Sequence, residues 1–278
     1  MCILKSSSTH LLILSLFLFL NSASEAAPTY TSHACTGSSY RPNTTFQTNL
    51  NLLLSSLVSN ATLHDGFYRT NISLGDPGEV KGLFLCRGDV NTSVCHDCVT
   101  AAAKNITQRC TNQTESVIWY DECMLRYSNS SRLDNVVPRV NLLNVQSVPD
   151  SDYSQFNDIL ASTLNDAKQE ALSSGKKFAT IEANVTTSMK LYTLAQCMPD
   201  LSTSECDTCF SSAISAFPSC CDGKQGARSL LPGCNVRYEL YPFYNVSSVS
   251  TQPEFFSPSS GIKCSYLINF VVAGCLRK

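Results

Sequence analysis

The chain has 278 residues and a formal net charge of −2, because its 20 lysines and arginines are nearly balanced by 22 aspartates and glutamates. A balanced charge without a basic stripe or a polybasic run excludes the electrostatic pattern of proteins that bind nucleic acids or anionic membranes. The length is sufficient for two domains of ordinary size, and the 15 cysteines point to a chain that uses its thiols structurally.

The N-terminal residues are typical of a secretory signal peptide. Lys5 provides a short positive start, residues 11–20 form an apolar run, and small residues around Ala26 offer a cleavage position. The run has about half of the roughly 20 residues that a membrane-spanning helix needs, which disfavours the alternative, a retained signal anchor. We predict that residues 1–26 are removed and that Cys2 is lost with them.

Five cysteines recur at a constant offset of 111 residues, in the pattern C-x8-C-x2-C-x11-C-x12-C. The first set is Cys86, Cys95, Cys98, Cys110 and Cys123, and the second set is Cys197, Cys206, Cys209, Cys221 and Cys234. Phe67 recurs as Phe178 at the same offset, and Arg126-Tyr127 recurs as Arg237-Tyr238. A constant cysteine spacing predicts two copies of one cross-linked domain.

After the predicted signal peptide, the repeat divides the chain into four parts. We assign the first domain to residues 28–135, a linker to 136–150, the second domain to 151–246 and an irregular tail to 247–278. The tail is rich in serine and proline and ends in a short apolar run, for which a cleaved lipid-anchor signal is the alternative interpretation.

Each repeat is predicted to contain two helices, separated and followed by strands. The first helix is indicated by apolar residues at helical spacing, which are Phe46, Leu50, Leu53, Leu54, Leu57 and Val58 in one repeat and Phe156, Ile159, Leu160, Leu164 and Ala167 in the other. The second helix carries the C-x2-C pair, with Thr92 or Ser93 as the expected cap in repeat 1 and Ser202 or Ser204 in repeat 2. Strands are predicted at 67–70, 80–86, 117–127, 178–186 and 229–241. This order lacks βαβ regularity and predicts an α+β fold with antiparallel sheets.

The chain contains nine N-x-S/T sequons, which support passage through the glycosylating secretory route. Their asparagines are Asn43, Asn60, Asn71, Asn91, Asn105, Asn112, Asn129, Asn184 and Asn245. In that oxidising route, regularly spaced thiols become disulfides.

The C-x2-C pairs allow three interpretations. They are structural disulfide partners, a redox dithiol in a thioredoxin-like setting, or ligands of a zinc ion. His96 lies inside the first pair, but Asp207 takes its place in the second, which weakens a metal role. No hydrolase, metalloprotease, phosphate-loop or kinase motif is present, and Asp121-Glu122 is expected to be a solvated acidic surface. We predict a protein that is not an enzyme and that has no catalytic residue, metal or cofactor.

The cysteine pattern together with the flanking sequence resembles the ginkbilobin-type stress-antifungal domain of land plants. Repeat 2 carries the resemblance most clearly, in LAQCMPDLS at 194–202, CDTC at 206–209, CCDGKQGAR at 220–228 and CNVRYELYPFY at 234–244. The doubled domain, over residues 28–246, is similar to cysteine-rich repeat secretory proteins and to the ectodomain of cysteine-rich receptor-like kinases. The resemblance implies two tandem α+β domains, each with two helices packed on an antiparallel sheet of about five strands and held by disulfides.

The resemblance also implies which cysteines pair. The implied pairs are Cys35–Cys110, Cys86–Cys95 and Cys98–Cys123 in repeat 1, and Cys197–Cys206 and Cys209–Cys234 in repeat 2. Repeat 2 has no counterpart of Cys35, so Cys221 lacks its usual partner, and Cys220, Cys264 and Cys275 are surplus. A vicinal Cys220–Cys221 bridge and a link to the tail are the two alternatives.

A ligand site is implied only in the second repeat. Some single-domain members bind mannose through an Asn, an Arg and a Glu, and repeat 2 retains the latter two as Arg228 and Glu239. Repeat 1 has Thr36, Val117 and Ser128 at those positions. Arg228 and Glu239 either form a charge pair that hydrogen-bonds sugar hydroxyls or only support each other structurally.

Taken together, these observations predict a secreted, non-catalytic binding or sensing protein of the plant apoplast that acts in stress or defence. Its partner would be a carbohydrate or an apoplastic or cell-surface protein, with no nucleic acid and no transmembrane helix in the mature chain. The alternatives are a mannose-binding antifungal lectin, a truncated ectodomain of a cysteine-rich receptor-like kinase, and a thiol redox sensor that uses Cys206 and Cys209 or the unpaired cysteines.

Overall fold

The computed structural model describes residues 27–75, 78–130 and 139–245. The predicted signal peptide and the tail, with Cys264 and Cys275, lie outside the described residues. In the part of the chain that is described, no helix has the length and apolar character needed to cross a membrane.

The described residues form two domains with the same order of elements. The first contains β1 Tyr30–Ser39, α1 Thr45–Asn60, β2 Phe67–Ile72, β3 Val80–Cys86, α2 Thr92–Arg109, β4 Gln113–Tyr120 and β5 Cys123–Ser128. The second contains β6 Val140–Leu143, α3 Tyr153–Ser173, β7 Phe178–Asn184, β8 Lys190–Cys197, α4 Thr203–Ile214, the short α5 Phe217–Cys220, β9 Gly226–Leu230 and β10 Cys234–Glu239. Two antiparallel five-stranded sheets result, with orders β1-β4-β5-β3-β2 and β6-β9-β10-β8-β7. The predicted α+β class is therefore confirmed.

Each sheet has its helices on one face, and the helices bury the apolar side chains that the sequence pattern identified. In α1, Phe46, Leu50, Leu53, Leu54 and Leu57 are all buried. Since residues three and four apart share a helix face, this spacing places them together on the sheet.

The caps of the two C-x2-C helices differ. The Asn91 side chain caps α2 by accepting a hydrogen bond from the Val94 N–H, so the prediction of Thr92 or Ser93 as the cap was wrong. The cap of α4 is Ser202, as predicted, and Glu205 completes a reciprocal capping box.

The opposite faces of the two sheets pack against each other. Alternate residues of the domain 1 strands face the other domain, and with residues of domain 2 they form a separate apolar cluster. Its buried members are Leu83, Val117, Trp119, Met124, Met198 and Leu230. The central strand β5 is thus buried at every residue, including its polar residues Arg126 and Ser128.

The domain interface also requires close approach at Gly88. A Cβ atom added at this glycine would lie 2.4 Å from the Phe178 ring, far inside van der Waals contact. Polar bonds extend the interface, because the Gln196 side chain donates to the Cys86 carbonyl at 2.9 Å and the Asn245 N–H donates to Asp89 at 2.8 Å.

Several strand assignments made from the sequence are corrected by the structure. The run 117–127 is two strands, β4 and β5, that turn at Asp121-Glu122, and strands β1, β6 and β8 had no sequence assignment. The interval 136–150, expected to be only a linker, contains β6, which pairs with β9 as the edge strand of the second sheet. The second sheet therefore begins at Val140.

Six disulfides lie within the described residues. Domain 1 has Cys35–Cys110, Cys86–Cys95 and Cys98–Cys123, and domain 2 has Cys197–Cys206, Cys209–Cys234 and the vicinal Cys220–Cys221. In the first sheet, Cys35 on β1 lies opposite Ser116 on β4. Ala227 occupies the position of Ser116 in domain 2, and the residue opposite Ala227 is Leu143 on β6. Leu143 has no thiol, which leaves Cys221 to bond its neighbour.

Candidate functional site

Arg228, one of the two ligand residues implied by the resemblance, lies on β9 and points into the domain interface. Its Nη1 donates to Oδ1 of Asp121, from domain 1, at 2.7 Å, and its Nε donates to Asn235 at 3.0 Å. Its Nη2 also donates to the Tyr120 carbonyl at 3.3 Å. Only 7% of Arg228 is exposed, so this guanidinium binds the other domain.

Glu239, the second implied residue, lies at the end of β10 and contacts Arg237. Two nitrogens of Arg237, Nε and Nη2, lie 3.0 Å from Oε1 of Glu239. The other oxygen, Oε2, is buried and has no hydrogen-bond partner. It lies against Gly226, where a Cβ atom would be only 1.7 Å away, so the conformation requires a glycine at that position.

The expected direct pair between Arg228 and Glu239 is not present, because each side chain is bonded to a different partner. Arg237 connects the two, since its Nη1 lies 3.5 Å from the same Asp121 oxygen that Arg228 binds. Asp121 is therefore not part of a solvated acidic surface as expected, and this prediction was wrong. One sequence signal pointed to Arg237, which is the recurrence of Arg-Tyr in both repeats.

Burial shifts the pKa values of this cluster in opposite directions. Desolvation lowers the pKa of Arg228 to about 10, against the attraction of Asp121, so the guanidinium stays charged at neutral pH. Desolvation raises the pKa of Glu239 above its ordinary value, while Arg237 opposes the shift.

The cluster borders a cleft of about 270 Å³ at the seam between the domains. Its polar side chains include two carboxylates, two guanidiniums, an amide and a phenol, namely Asp121, Glu239, Arg228, Arg237, Asn144 and Tyr241. Such groups hydrogen-bond hydroxyl-rich ligands. The equivalent positions of domain 1, Thr36, Val117 and Ser128, carry no charge, and Val117 packs in the apolar domain interface.

The C-x2-C cysteines of domain 2 do not bond to each other. Cys206 is joined to Cys197 and Cys209 to Cys234, so each member of the pair reaches a different strand. His33, Cys35 and Cys110 place possible metal ligands within 4.8 Å of one another, but the two sulfurs form a disulfide. These thiols are used as cross-links, which leaves only the His33 ring of that group as a ligand.

The sequon asparagines differ in exposure. Six are exposed, namely Asn43, Asn71, Asn91, Asn129, Asn184 and Asn245, and the other three are partly buried. Among the latter, the Asn60 amide donates to the Ser56 carbonyl and the Asn105 amide to the Tyr120 hydroxyl. A glycan attached to either nitrogen replaces one of its two hydrogens and would have to be accommodated directly beside that bond.

The fold and the site define a tandem protein made of two disulfide-stapled α+β domains that share a charged interface. The chain belongs to the salt stress response/antifungal family, whose domain matches residues 34–130 and 144–241. This family is the one to which the sequence resemblance pointed, and that prediction is confirmed.

Relatives of two lengths are similar to this chain. The cysteine-rich receptor-like protein kinase 25 of Arabidopsis thaliana is 40% identical over 262 residues, which is 92% of this chain but 38% of that relative. The chain thus spans well under half of that kinase. The antimicrobial ginkbilobin-2-like protein of Castanea crenata is 40% identical over 243 residues, 86% of this chain and 97% of that protein.

Two solved structures share the fold. The tandem DUF26 ectodomain of the Arabidopsis thaliana cysteine-rich receptor-like protein PDLP5 is 26% identical, with a TM-score of 0.61 over 77% of this chain and 100% of that one. The ectodomain of PDLP8 has a TM-score of 0.65 at 24% identity, over 77% of this chain and 99% of that chain, and shows likeness of fold alone.

Proposed function

We propose that the protein is a secreted, non-catalytic binding protein of the plant apoplast that acts in stress or defence. The observation that carries the proposal is the use of 12 described cysteines in six disulfides, because such bonds persist in oxidising, extracellular compartments. The likeness to an antimicrobial protein over nearly its whole length supports the defence role. The likeness to receptor ectodomains supports recognition outside the cell.

The interface supports a protein in which both domains act as one unit. Arg228 and Arg237 of domain 2 share Asp121 of domain 1, and apolar residues of both sheets pack beside them. A ligand that contacts both domains would therefore meet a surface whose two halves are held together before binding.

A mannose-binding lectin is the second candidate, favoured by the polar cleft at the domain seam. The cleft contains Arg228 and Glu239 together with hydrogen-bonding groups that the single-domain pattern does not include. Their bonds within the protein oppose this function, because a sugar hydroxyl would have to compete with Asp121 for Arg228.

The test is to express the chain with its N-terminal residues in plant cells and to assay the glycoprotein from the medium. We expect the protein in the medium, saturable binding to a glycan array or to apoplastic proteins, and inhibition of fungal hyphal growth. Retention inside the cell would contradict secretion, and turnover in dithiol-reductase or polysaccharide-hydrolysis assays would contradict a purely binding role. A protein with every cysteine reduced and alkylated is the negative control.

Within that experiment, Tyr241→Phe tests the lectin candidate better than Arg228→Ala does. Tyr241 lines the cleft and is 48% exposed, and its hydroxyl accepts a hydrogen bond from Arg237 Nη2 at 3.1 Å. Tyr241→Phe removes that bond but leaves the Arg228–Asp121 bond in place. Mannose binding that weakens in Tyr241→Phe supports the lectin. No signal on any mannoside leaves protein recognition as the binding role.

A further inference from the structure

A second cavity, of about 280 Å³, lies on the helical side of domain 2. It opens between α3 and the segment that joins α4, α5 and the following turn. Its walls are mostly apolar, formed by Leu160, Ala161, Leu164, Ile214, Phe217, Pro218, Cys221 and Tyr238. Asn157, Asp222 and Gly223 complete the lining.

The size and the walls of this cavity fit one aromatic ring with a substituent. An apolar cavity of about 150 Å³ accommodates a benzene molecule, so 280 Å³ holds a ring and several further atoms. Phe217 and Tyr238 meet edge to face, with ring centroids 5.2 Å apart. Aromatic rings prefer edge-to-face or offset contacts, so a ligand ring that touches either of these two side chains has an advantage over an aliphatic group of the same size.

The polar residues of the cavity define the substituent. Asp222 is exposed, and both its carboxylate oxygens lie 2.7 Å from the Tyr153 hydroxyl, which donates its one proton to the carboxylate and orients it. The Asn157 side chain lines the same cavity. An aspartate accepts hydrogen bonds and repels anions, so the matching substituent is a hydroxyl or an amine and not a carboxylate.

The cavity belongs to a part of domain 2 that is built differently from domain 1. In domain 1, α2 runs without interruption to Arg109 and is tied to β1 through Cys110. In domain 2, α4 ends at Ile214, and Pro218 lies in the separate short helix α5. Neither sequon asparagine of domain 2, Asn184 or Asn245, lines the cavity, so an attached glycan does not occupy it directly.

We propose that this cavity is a binding site for a small single-ring aromatic compound that carries a hydroxyl or amino group. The inference rests on the proposed function and deepens it, because it names a ligand class for a binding protein. The site is separate from the cleft at the domain seam, which includes none of the same residues.

The experiment uses the secreted glycoprotein and three probes in ligand-observed NMR titrations. Benzyl alcohol carries the ring and the donor, cyclohexylmethanol has the donor without the ring, and benzoate has the ring with a negative charge. We expect saturable binding of benzyl alcohol with a Kd near about 1 mM, the range expected for a ligand of this size. The other two probes should bind at least about fivefold more weakly, since each lacks one of the two matching features.

Two variant pairs locate the binding. Ala161→Phe places a ring in the cavity and is expected to weaken benzyl alcohol binding at least about tenfold. Its control is Ser162→Phe, which adds the same ring about 100° round the helix and should change benzyl alcohol binding less than about twofold. Asp222→Asn should reduce the discrimination against benzoate, while Asp158→Asn, the same charge change on α3 at a residue outside the lining, should not.

The outcomes separate this site from the proposed function. Absence of saturable benzyl alcohol binding, or equal binding to wild type and Ala161→Phe, overturns the site even if the protein is secreted and binds its macromolecular target. Probe binding that follows the predicted order of variants supports the site even if the glycan, protein and hyphal assays are all negative. Circular dichroism of each variant establishes that it is folded before titration.

Discussion

The two domains share an order of elements and a strand register but differ in how the end of their second long helix is fixed. In domain 1, Cys110 follows α2 and is bonded to Cys35 on β1, 75 residues away in sequence. In domain 2, Cys221 is bonded to Cys220, a separation of one residue. The same position thus carries a long-range cross-link in one domain and a purely local one in the other.

This difference matters because a disulfide restricts the unfolded chain in proportion to the logarithm of the loop it closes. The Cys35–Cys110 loop removes much unfolded-state entropy, and the Cys220–Cys221 bond closes almost no loop. Domain 2 therefore relies more on packing, and part of that packing is provided by domain 1 through Asp121 and the Cys86 carbonyl. The comparison leads to four predictions, from the largest expected effect to the smallest.

The largest effect is expected from removing the long-range bridge. The double variant Cys35→Ser/Cys110→Ser should lower the free energy of unfolding by about 4 kcal/mol, the loop-entropy value for a separation of 75 residues. Cys220→Ser/Cys221→Ser is the matched control and should lose less than about 1 kcal/mol. Guanidinium unfolding monitored by fluorescence of Trp119, the single tryptophan, measures both. Equal losses in the two variants would contradict the proposed difference between the domains.

The next effect comes from the charged interface. Asp121→Asn removes the anion that faces Arg228 and Arg237, and a buried pair broken in this way costs about 3–5 kcal/mol. The Asp121 side chain is 31% exposed, so we expect a smaller loss of about 2 kcal/mol. Asp200→Asn breaks the Arg69–Asp200 pair, in which the arginine side chain is 41% exposed against 9% for that of Arg228, and should cost less than about 1 kcal/mol. Guanidinium unfolding measures both losses. If the free energy of unfolding of Asp121→Asn equalled that of wild type, the stability of the two domains would not depend on this contact.

The helix caps give a smaller contrast. Asn91→Ala and Ser202→Ala should each destabilise by about 1 kcal/mol. The larger loss is expected in Ser202→Ala, because the Ser202 hydroxyl makes two bonds, accepting from the Glu205 N–H and donating to the Glu205 carboxylate. Asn91→Ser retains a capping oxygen but removes the sequon, and so separates the cap from any glycan. Thermal unfolding of the three variants measures the order, and a loss in Asn91→Ser as large as in Asn91→Ala would assign the effect to the glycan.

The smallest effect is a pH dependence of opposite sign at two glutamates of domain 2. Burial raises the pKa of Glu239 in the folded state above its value in the unfolded chain. The contribution of this group to folding stability is therefore fully present below the unfolded-state pKa and is lost as the pH rises through the folded-state pKa. Glu239→Gln should therefore gain stability relative to wild type as pH rises from about 4 towards 7. Thermal unfolding midpoints across this range measure the difference.

Glu205 is the control with the opposite sign. The hydroxyl of Ser202 lowers the pKa of Glu205 in the folded state. The contribution of Glu205 to folding stability is therefore present above the unfolded-state pKa and is lost as the pH falls through the folded-state pKa. Glu205→Gln should be less stable than wild type at neutral pH, with the difference shrinking on acidification. If the stability difference from wild type changed with pH in the same direction in both variants, Glu239 would not be desolvated in the folded protein.

How far the candidate site was predictable differs between its members. Arg228 and Glu239 were identified from the family resemblance, but their partners were not, because Asp121 lies 107 residues before Arg228 in the sequence. An acidic pair at a turn has the same sequence pattern whether it faces water or another domain. The cavity on the helical side of domain 2 was not predicted either, because it arises at the break between α4 and α5, next to α3.

The sequence by itself determined the doubled domain, the α+β class, the family and the buried faces of the long helices. These follow from local spacing, since cysteine intervals and helical periodicity are properties of neighbouring residues. Only the tertiary structure decided that β6 joins the second sheet, that the two sheets pack face to face and that Arg228 is bonded to Asp121. Strand pairing and domain docking join residues distant along the chain, and their free energy depends on which surfaces lose water together.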